Sequence, residues 1–211
     1  MRIFVVRHGQ TDWNLAGRAQ GHTDVPVNRL GLWQSARVAM RLVDERPELV
    51  MTSDLSRCRQ IADRVGEVAG VPVEADTRLR ERTFGDLEGL SFEELRSWHE
   101  QHRPPHQDPH DLRPPNGESP HDVWMRMEQM AHEILQKNRS VAVITHGMAG
   151  SLLIGRLLGG SIATGRAFRL ENAALTELRC HTDGHLVLVR YNDASHLNAP
   201  MESLSGEPAR P

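Results

Sequence analysis

The sequence has few of the residues that cross-link small secreted domains or span membranes. Only two cysteines, Cys58 and Cys180, occur among 211 residues. They cannot form a disulfide framework, and a reducing compartment is expected. No apolar run approaches the ~20 residues of a membrane-spanning helix, and the apolar run at 3–6 is too short for a signal-peptide core. We therefore expect a soluble cytoplasmic protein without a membrane partner.

Strong charge of one sign is also missing. The formal net charge is −3, and no basic patch suggests nucleic-acid binding. The hydrophobic share of 38% is enough for a core, and the length fits one large domain. Residues 199–211 are rich in proline, serine and glycine. We predict a single domain over 1–198 and a disordered tail over 199–211.

Short β-branched runs alternate with helical periodicities along most of the chain. Buried strands are predicted at 3–6, 49–52 and 141–145, an edge strand at 71–73, and a hairpin of 173–180 with 186–191. Helices follow Asn28, Ser53 or Asp54, and Ser119, which are typical N-cap residues. The pattern predicts an α/β fold, a three-layer sandwich whose mostly parallel sheet has an antiparallel edge.

One stretch, about 90–120, differs from the rest. A helix is predicted at 91–102, and six prolines follow between 104 and 120. Long loops inside compact domains are usually lids or binding loops, so we interpret the stretch as a lid. Its four histidines, His99, His102, His106 and His110, could suggest a metal site. Pro104 and Pro105 interrupt the helix that would align them, and no zinc-finger spacing is present, so we expect no metal.

Three predicted strands end in polar residues of related chemistry. Arg7-His8-Gly9 follows the first strand, Ser53-Asp54 with Arg57 the second, and His146-Gly147 the strand at 141–145. The carboxyl ends of parallel strands meet at one sheet edge, where ligands bind. Arginines and helix-start N–H groups there would suit an anion, and a dianionic phosphate fits guanidinium forks best. Taken singly, these residues could be a polar turn, a surface Arg57–Asp54 ion pair and a helix cap.

Five blocks occur in order along the chain. They are Arg7-His8-Gly9-Gln10-Thr11 with Asn14 and Gln20-Gly21, Ser53-Asp54-Leu55 with Arg57, Leu79-Arg80-Glu81 with Phe84-Gly85, Glu88-Gly89, and Thr145-His146-Gly147. Together they resemble the histidine phosphatase superfamily, also called phosphoglycerate-mutase-like. The resemblance extends from residue 3 to about 196 and implies the phosphoglycerate-mutase-like fold.

The resemblance implies a role for each residue of these blocks. His8 would be the nucleophile that forms a phosphohistidine, and Glu81 the general acid and base. His146 would stabilise the transition state. Phosphate would be bound by Arg7, Arg57, Asn14, Gln20 and the Gly147 N–H. No cofactor or metal is needed on this route. Arg80 and Arg82, which flank Glu81, are candidate contacts to an acidic substrate, although we expect at least one of them to be surface charge.

Three functions are compatible with these motifs. We expect a phosphomonoester hydrolase for small phosphorylated metabolites, because mutases of this family have longer insertions that exclude water, whereas the stretch at 90–120 is short. The alternative is a cofactor-dependent phosphoglycerate mutase, which transfers the phosphoryl group between sugar-acid hydroxyls. A non-catalytic phospho-ligand sensor is disfavoured, since the core residues are intact. The partner is then a small phosphate ester, and a homodimer is left open, since dimers are common among relatives.

Overall fold

The computed structural model describes residues 1–181 and 183–198. The predicted disordered tail, 199–211, lies outside the described residues. The strands are β1 (Arg2–Arg7), β2 (Leu49–Thr52), β3 (Val73–Ala75), β4 (Val141–Thr145), β5 (Leu175–Cys180) and β6 (Leu186–Asp193). The helices are α1 (Asp12–Leu15), α2 (Arg29–Glu45), α3 (Ser56–Ala69), α4 (Phe92–His102), α5 (Pro120–Gln136), α6 (Gly147–Leu157) and α7 (Ile162–Ala167). Short 3₁₀ turns cover Thr77–Leu79, Gly85–Leu87 and Ser195–Leu197.

The six strands form one sheet in the order β3-β2-β4-β1-β5-β6. The first four in that order are parallel, and β5 and β6 extend the sheet as an antiparallel hairpin. The predicted fold class, a mostly parallel sheet with an antiparallel edge, is confirmed. The three strands with polar ends, β1, β2 and β4, are neighbours, so those ends share one edge of the sheet.

Alternate residues of the central strands pack on opposite faces of the sheet. Ile3, Val5 and Val143 contact the apolar sides of α5 and α6 on one face. Phe4 and Ile144 contact those of α2 and α3 on the other. Because both faces are covered, these strands are apolar throughout and not alternating, and the architecture has three layers.

A close backbone contact places the segment after β1. A Cβ at Gly9 would overlap the Gly31 carbonyl and the Ser35 hydroxyl, and one at Gly31 would overlap the Gln10 backbone. Only glycines allow the β1–α1 loop and the start of α2 to approach so closely. Among the described residues, no helix combines the length and the apolar character that a membrane crossing requires.

Candidate active site

The polar ends of β1, β2 and β4 converge on a cleft of about 310 Å³. The eight residues to which the family resemblance assigned a catalytic or phosphate-binding role all line this cleft: Arg7, His8, Asn14, Gln20, Arg57, Glu81, His146 and Gly147. They come from six separate parts of the chain. The residues predicted at the strand ends therefore share one cavity, and the role of each as part of an anion site remains a prediction.

His8 is held in one tautomer at the floor of the cleft. Its side chain is buried, and Nδ1 lies 2.7 Å from the Gly9 carbonyl oxygen, so Nδ1 must donate the proton. Burial, together with the nearby Arg57 and Arg7, holds the pKa of His8 well below 6.5. The neutral ring consequently keeps an unprotonated Nε2, which is the form that a nucleophile requires.

The two predicted phosphate-binding arginines have donors left over. Arg57 is 1% exposed and donates through Nη1 to the Thr23 carbonyl (2.9 Å) and through Nη2 to the Gly21 carbonyl (2.8 Å). Arg7 donates through Nη1 to the Leu170 carbonyl (2.7 Å), while its buried Nε–H has no partner among the residues that the structure describes. A guanidinium has five N–H groups, so each keeps at least two for an anion.

His146 is packed against Arg57 and His8. Its Nδ1 accepts a hydrogen bond from Arg57 Nε (3.2 Å), and its Nε2 lies 2.9 Å from Ser53 Oγ. The ring centroids of the two histidines are 5.1 Å apart. Burial, then the charge of Arg57, lowers the pKa of His146 well below 6.5. In this arrangement the ring orients Arg57, and direct stabilisation of the transition state by His146 stays a prediction.

Glu81 occupies the amino end of α6. One carboxylate oxygen accepts from the Met148 N–H (3.0 Å), and the other from the Ala149 N–H (3.1 Å) and the Arg82 N–H (2.9 Å). The helix-start N–H groups that sequence reasoning offered to phosphate are therefore largely taken by this carboxylate. Of these helix-start groups, only the Gly147 N–H is still predicted to bind phosphate.

Two amide side chains face the cleft with unused groups. The Asn14 Oδ1 accepts from the Thr11 N–H (3.1 Å) and from Asn172 Nδ2 (3.2 Å). The Asn14 amide nitrogen has no partner in the described part of the chain, so it is the group that could donate to a ligand. Gln20 is buried, and its Oε1 has no hydrogen-bond partner within the described residues. An unpaired buried polar group is costly, so Gln20 Oε1 needs a hydrogen-bond donor such as a water, and phosphate binding by Gln20 stays a prediction.

Two further charged residues shape the site from outside, and sequence reasoning gave them no role. Glu88 accepts hydrogen bonds from the N–H groups of His22 and Thr23, both at 2.8 Å, and so holds the loop whose carbonyls fix Arg57. Arg126 donates to the carbonyls of Arg80 (2.7 Å) and Glu81 (3.0 Å). The Glu88-Gly89 motif signalled the first of them, whereas no pattern in the sequence signalled Arg126.

The interpretation of Arg80 and Arg82 as substrate contacts does not fit the structure. Arg80 pairs with Asp54, with Nε 2.7 Å from Oδ1. Because Asp54 is paired in this way, the surface Arg57–Asp54 ion pair that the sequence left open is not formed. Arg82 is buried and donates to the Glu118 carbonyl (2.6 Å). Neither arginine lines the cleft, because both support the segment that presents Glu81.

The outer part of the cleft was not foreseen from the sequence. Apart from a few smaller side chains, it consists of three arginines and three phenylalanines, which are Arg18, Arg166, Arg169, Phe84, Phe92 and Phe168. Of the predicted lid, only Phe92 lines the cleft. Within the described part of the chain, no three His, Cys, Asp or Glu side chains are grouped as metal ligands.

Comparison with known proteins identifies the family. The model of the histidine phosphatase superfamily, branch 1, matches residues 3–194. The chain belongs to this superfamily. A curated relative, described as probable phosphoglycerate mutase GpmB of Serratia proteamaculans, is 33% identical over 207 residues, covering 95% of this chain and 96% of the relative.

Solved structures of phosphatases in this superfamily have the same fold. A mycobacterial glucosyl-3-phosphoglycerate phosphatase in complex with VO₃ superposes with a TM-score of 0.79 at 31% identity, covering 92% of this chain and 99% of that one. An alpha-ribazole phosphatase of Shigella flexneri gives 0.80 at 25% identity, covering 92% and 96%. The superfamily member described here is thus an enzyme of the histidine phosphatase type.

Proposed function

We propose that this enzyme hydrolyses phosphate monoesters of small metabolites through a phosphohistidine on His8. The observation that carries the proposal is the state of His8: a neutral imidazole, with Nδ1 fixed on the Gly9 carbonyl, in a cleft with unused guanidinium N–H groups. Phosphoryl transfer depends chiefly on positioning and on charge stabilisation, and these groups supply both.

The first step transfers the phosphoryl group to the enzyme. His8 Nε2 attacks phosphorus with its lone pair, and the N–P bond forms as the ester P–O bond breaks. Arg7 and Arg57 neutralise the charge on the equatorial oxygens. Glu81 in its carboxylic acid form gives its proton to the leaving alkoxide, which departs as an alcohol.

The second step restores the enzyme. The Glu81 carboxylate takes a proton from a water molecule, whose oxygen attacks phosphorus. The N–P bond breaks, its electron pair returns to His8 Nε2, and inorganic phosphate leaves. Glu81 finishes as the carboxylic acid and is ready to protonate the next alkoxide, so protons and charge balance over the cycle.

A cofactor-dependent phosphoglycerate mutase is the second candidate, because a curated relative at 33% identity has that description. The two reactions share the first step and differ in whether water or a sugar-acid hydroxyl accepts the phosphoryl group. Hydrolysis is supported by the phosphatases among the solved neighbours and by a cleft to which the 90–120 stretch contributes only Phe92. A cytoplasmic location and a homodimer stay predictions.

The experiment is a panel of phosphate esters, with and without a chelator, that includes 3-phosphoglycerate with its bisphosphate primer. We expect release of inorganic phosphate that is insensitive to the chelator and lost in His8→Ala. Isomerisation of 3-phosphoglycerate without release would establish the mutase instead. Undiminished turnover by His8→Ala would refute the mechanism, and binding without turnover would favour a phospho-ligand sensor.

A further inference from the structure

The last residues of α7 and the first part of its connection to β5, together residues 166–172, form one wall of the cleft and take almost no part in the proposed chemistry. Arg166, Phe168, Arg169 and Leu170 all line the cavity. Of these four residues, only Leu170 contacts a residue with a proposed role, through its carbonyl and Arg7. Asn172, at the end of the segment, donates to Asn14 and to the His8 carbonyl. The side chains of this α7–β5 wall are therefore available to recognise the part of a substrate that is not phosphate.

The α7–β5 wall is anchored on both sides. The Tyr191 hydroxyl accepts from the Arg169 N–H (2.6 Å) and donates to the Arg169 carbonyl (2.7 Å). The Glu171 N–H donates to Asn192 Oδ1 (2.8 Å). Together with the bond from Arg7 to Leu170, these contacts set the wall at a fixed distance from the predicted phosphate position. A fixed backbone lowers the entropy that its side chains lose on binding.

The charge of the cleft exceeds what one phosphate ester needs. Five arginines line it and only one carboxylate, Glu81, although the whole chain has a net charge of −3. A phosphomonoester brings at most two negative charges, and Arg7 and Arg57 are placed to meet them. Positive charge gathered in a cleft attracts anions and repels cations.

Among the five arginines that line the cleft, Arg166 and Arg169 have the weakest contacts with other described residues. Arg166 has no ion pair or side-chain hydrogen bond within residues 1–181 and 183–198, and its positive charge opposes that of the buried Arg82. Arg169 lies 3.6 Å from Glu171, with 88% of its side chain exposed, which makes a weak pair. Phe168 lies between them in the sequence and packs against Tyr191, with ring centroids 5.5 Å apart and ring planes tilted by 60°.

We propose that Arg166 and Arg169 bind a second anionic group, a carboxylate or a further phosphate, on the alcohol portion of the substrate. Phe168 packs against the carbon skeleton that separates this group from the reacting phosphate. The inference rests on the proposed function, because it concerns the alcohol that leaves in the first step. It defines the substrate class as phosphate esters with at least two separated anionic groups.

The test compares matched esters that differ in the second anionic group. The carboxylate pair is 3-phosphoglycerate and glycerol 3-phosphate, and the phosphate pair is fructose 1,6-bisphosphate and fructose 6-phosphate. We expect kcat/KM to favour the doubly anionic member of at least one pair by about tenfold, the size of a charge-assisted bidentate contact. The pair that shows the preference identifies the anion. Because the arginines are exposed, added salt should reduce it.

Arg166→Gln combined with Arg169→Gln should reduce this preference to about twofold or less, chiefly by raising KM for the doubly anionic ester. Lysine at both positions should restore part of it. The control is Arg64→Gln, since Arg64 is exposed on α3 and pairs with Glu67 away from the cleft. This control should keep the wild-type preference.

The outcomes separate this inference from the proposed function. Hydrolysis of singly anionic esters that depends on His8, without any preference in either pair, would overturn the inference and leave the function intact. A double variant that slows both members of a pair equally would also overturn it. Absence of His8-dependent phosphate release from every ester would overturn both.

Discussion

The inner and outer ends of the cleft are built in opposite ways. At the inner end, His8, Arg57 and His146 are at most 3% exposed, and each is held by specific hydrogen bonds. At the outer end, Phe92 is 57% exposed and the side chain of Arg169 is 88% exposed. Buried and fixed groups suit a reaction that is the same for every ester, whereas exposed side chains can change with little cost to the fold.

The largest effect of a substitution at the inner end is expected at Glu81. Glu81→Gln keeps the size of the side chain but removes its acid and base, so kcat for alkyl esters should fall by about 10²- to 10⁴-fold. Aryl esters have a better leaving group and need less protonation, so the variant should release the first phenol quickly and then stall. Stopped-flow absorbance with 4-nitrophenyl phosphate would show this burst. A steady rate equal to that of the wild type would contradict the assignment.

A smaller effect is expected at Glu88, which supports the inner end without touching substrate. Glu88→Ala should lower kcat about 10- to 100-fold, because the loop that holds Arg57 loses its anchor. Glu88→Gln should recover part of this, since an amide oxygen can still accept the N–H bonds of His22 and Thr23. Glu67→Gln, on an exposed ion pair of α3, is the control. Equal activity of Glu88→Ala and wild type would show that Arg57 is held by other contacts.

Stability should depend on pH through the buried histidines. The pKa values of His8 and His146 lie well below 6.5 in the folded state, chiefly because of burial, whereas unfolded histidines titrate near that value. As pH falls below about 6.5, the unfolded state binds protons that the folded state does not, so the free energy of unfolding decreases. Each histidine contributes about 1.4 kcal/mol per pH unit.

Urea unfolding measured between about pH 5 and 6.5 checks this linkage. His8→Gln should have a shallower dependence than the wild type, by the contribution of one histidine. Carboxylates also titrate in acid, but they contribute equally to the two slopes, so their contribution cancels in the difference. Identical slopes would mean that His8 is protonated as easily in the folded protein as in the unfolded chain.

At the outer end, substitutions should cost the least. Phe92→Ala removes a partly exposed ring from the cleft and should raise KM by about fivefold or less, with a smaller change in kcat. Leu15→Ala is the control, since Leu15 is 73% exposed and does not line the cleft. Steady-state kinetics on one ester is sufficient. A loss in kcat as large as that of Glu88→Ala would remove the distinction between the two ends.

The same contrast explains what could be predicted from the sequence. The strands β1, β2 and β4 are apolar runs buried on both faces, so they and the polar residues at their ends were located correctly. The strand expected at 71–73 lies instead at Val73–Ala75, since Pro72 has no N–H for a ladder and offers only its carbonyl to Val50. Helix α7 was missed, because six residues with an internal glycine show no clear periodicity.

Two predictions of local structure were wrong, one near the candidate site and one in the core. Ser53 or Asp54 was expected to cap α3, but the N-cap is Leu55, without a side-chain bond. Ser53 contacts His146 and Asp54 pairs with Arg80, so both are used by the active site. On α2, the helical spacing of apolar residues after Asn28 predicts Leu32 on the buried side, but Leu32 is 47% exposed, while its neighbour Trp33 is buried.

The outer end was beyond sequence reasoning for a physical reason. Only tertiary packing brings Arg18, Phe84 and the α7–β5 wall to the cleft. In a sequence, exposed arginines of a binding site look the same as arginines on any solvated surface. The Tyr191 hydroxyl that fixes Arg169 is 22 residues away in the sequence, and no local pattern signals such a contact.

The central claim is that His8 forms a covalent bond to phosphorus. Its most direct test is to mix the enzyme with a phosphate ester, quench in alkaline denaturant within milliseconds, and measure intact and peptide masses. The account predicts one added phosphoryl group on His8, labile in acid, absent from His8→Ala and accumulating in Glu81→Gln with an aryl ester. Turnover without any such adduct, or with phosphate on another residue, would contradict it.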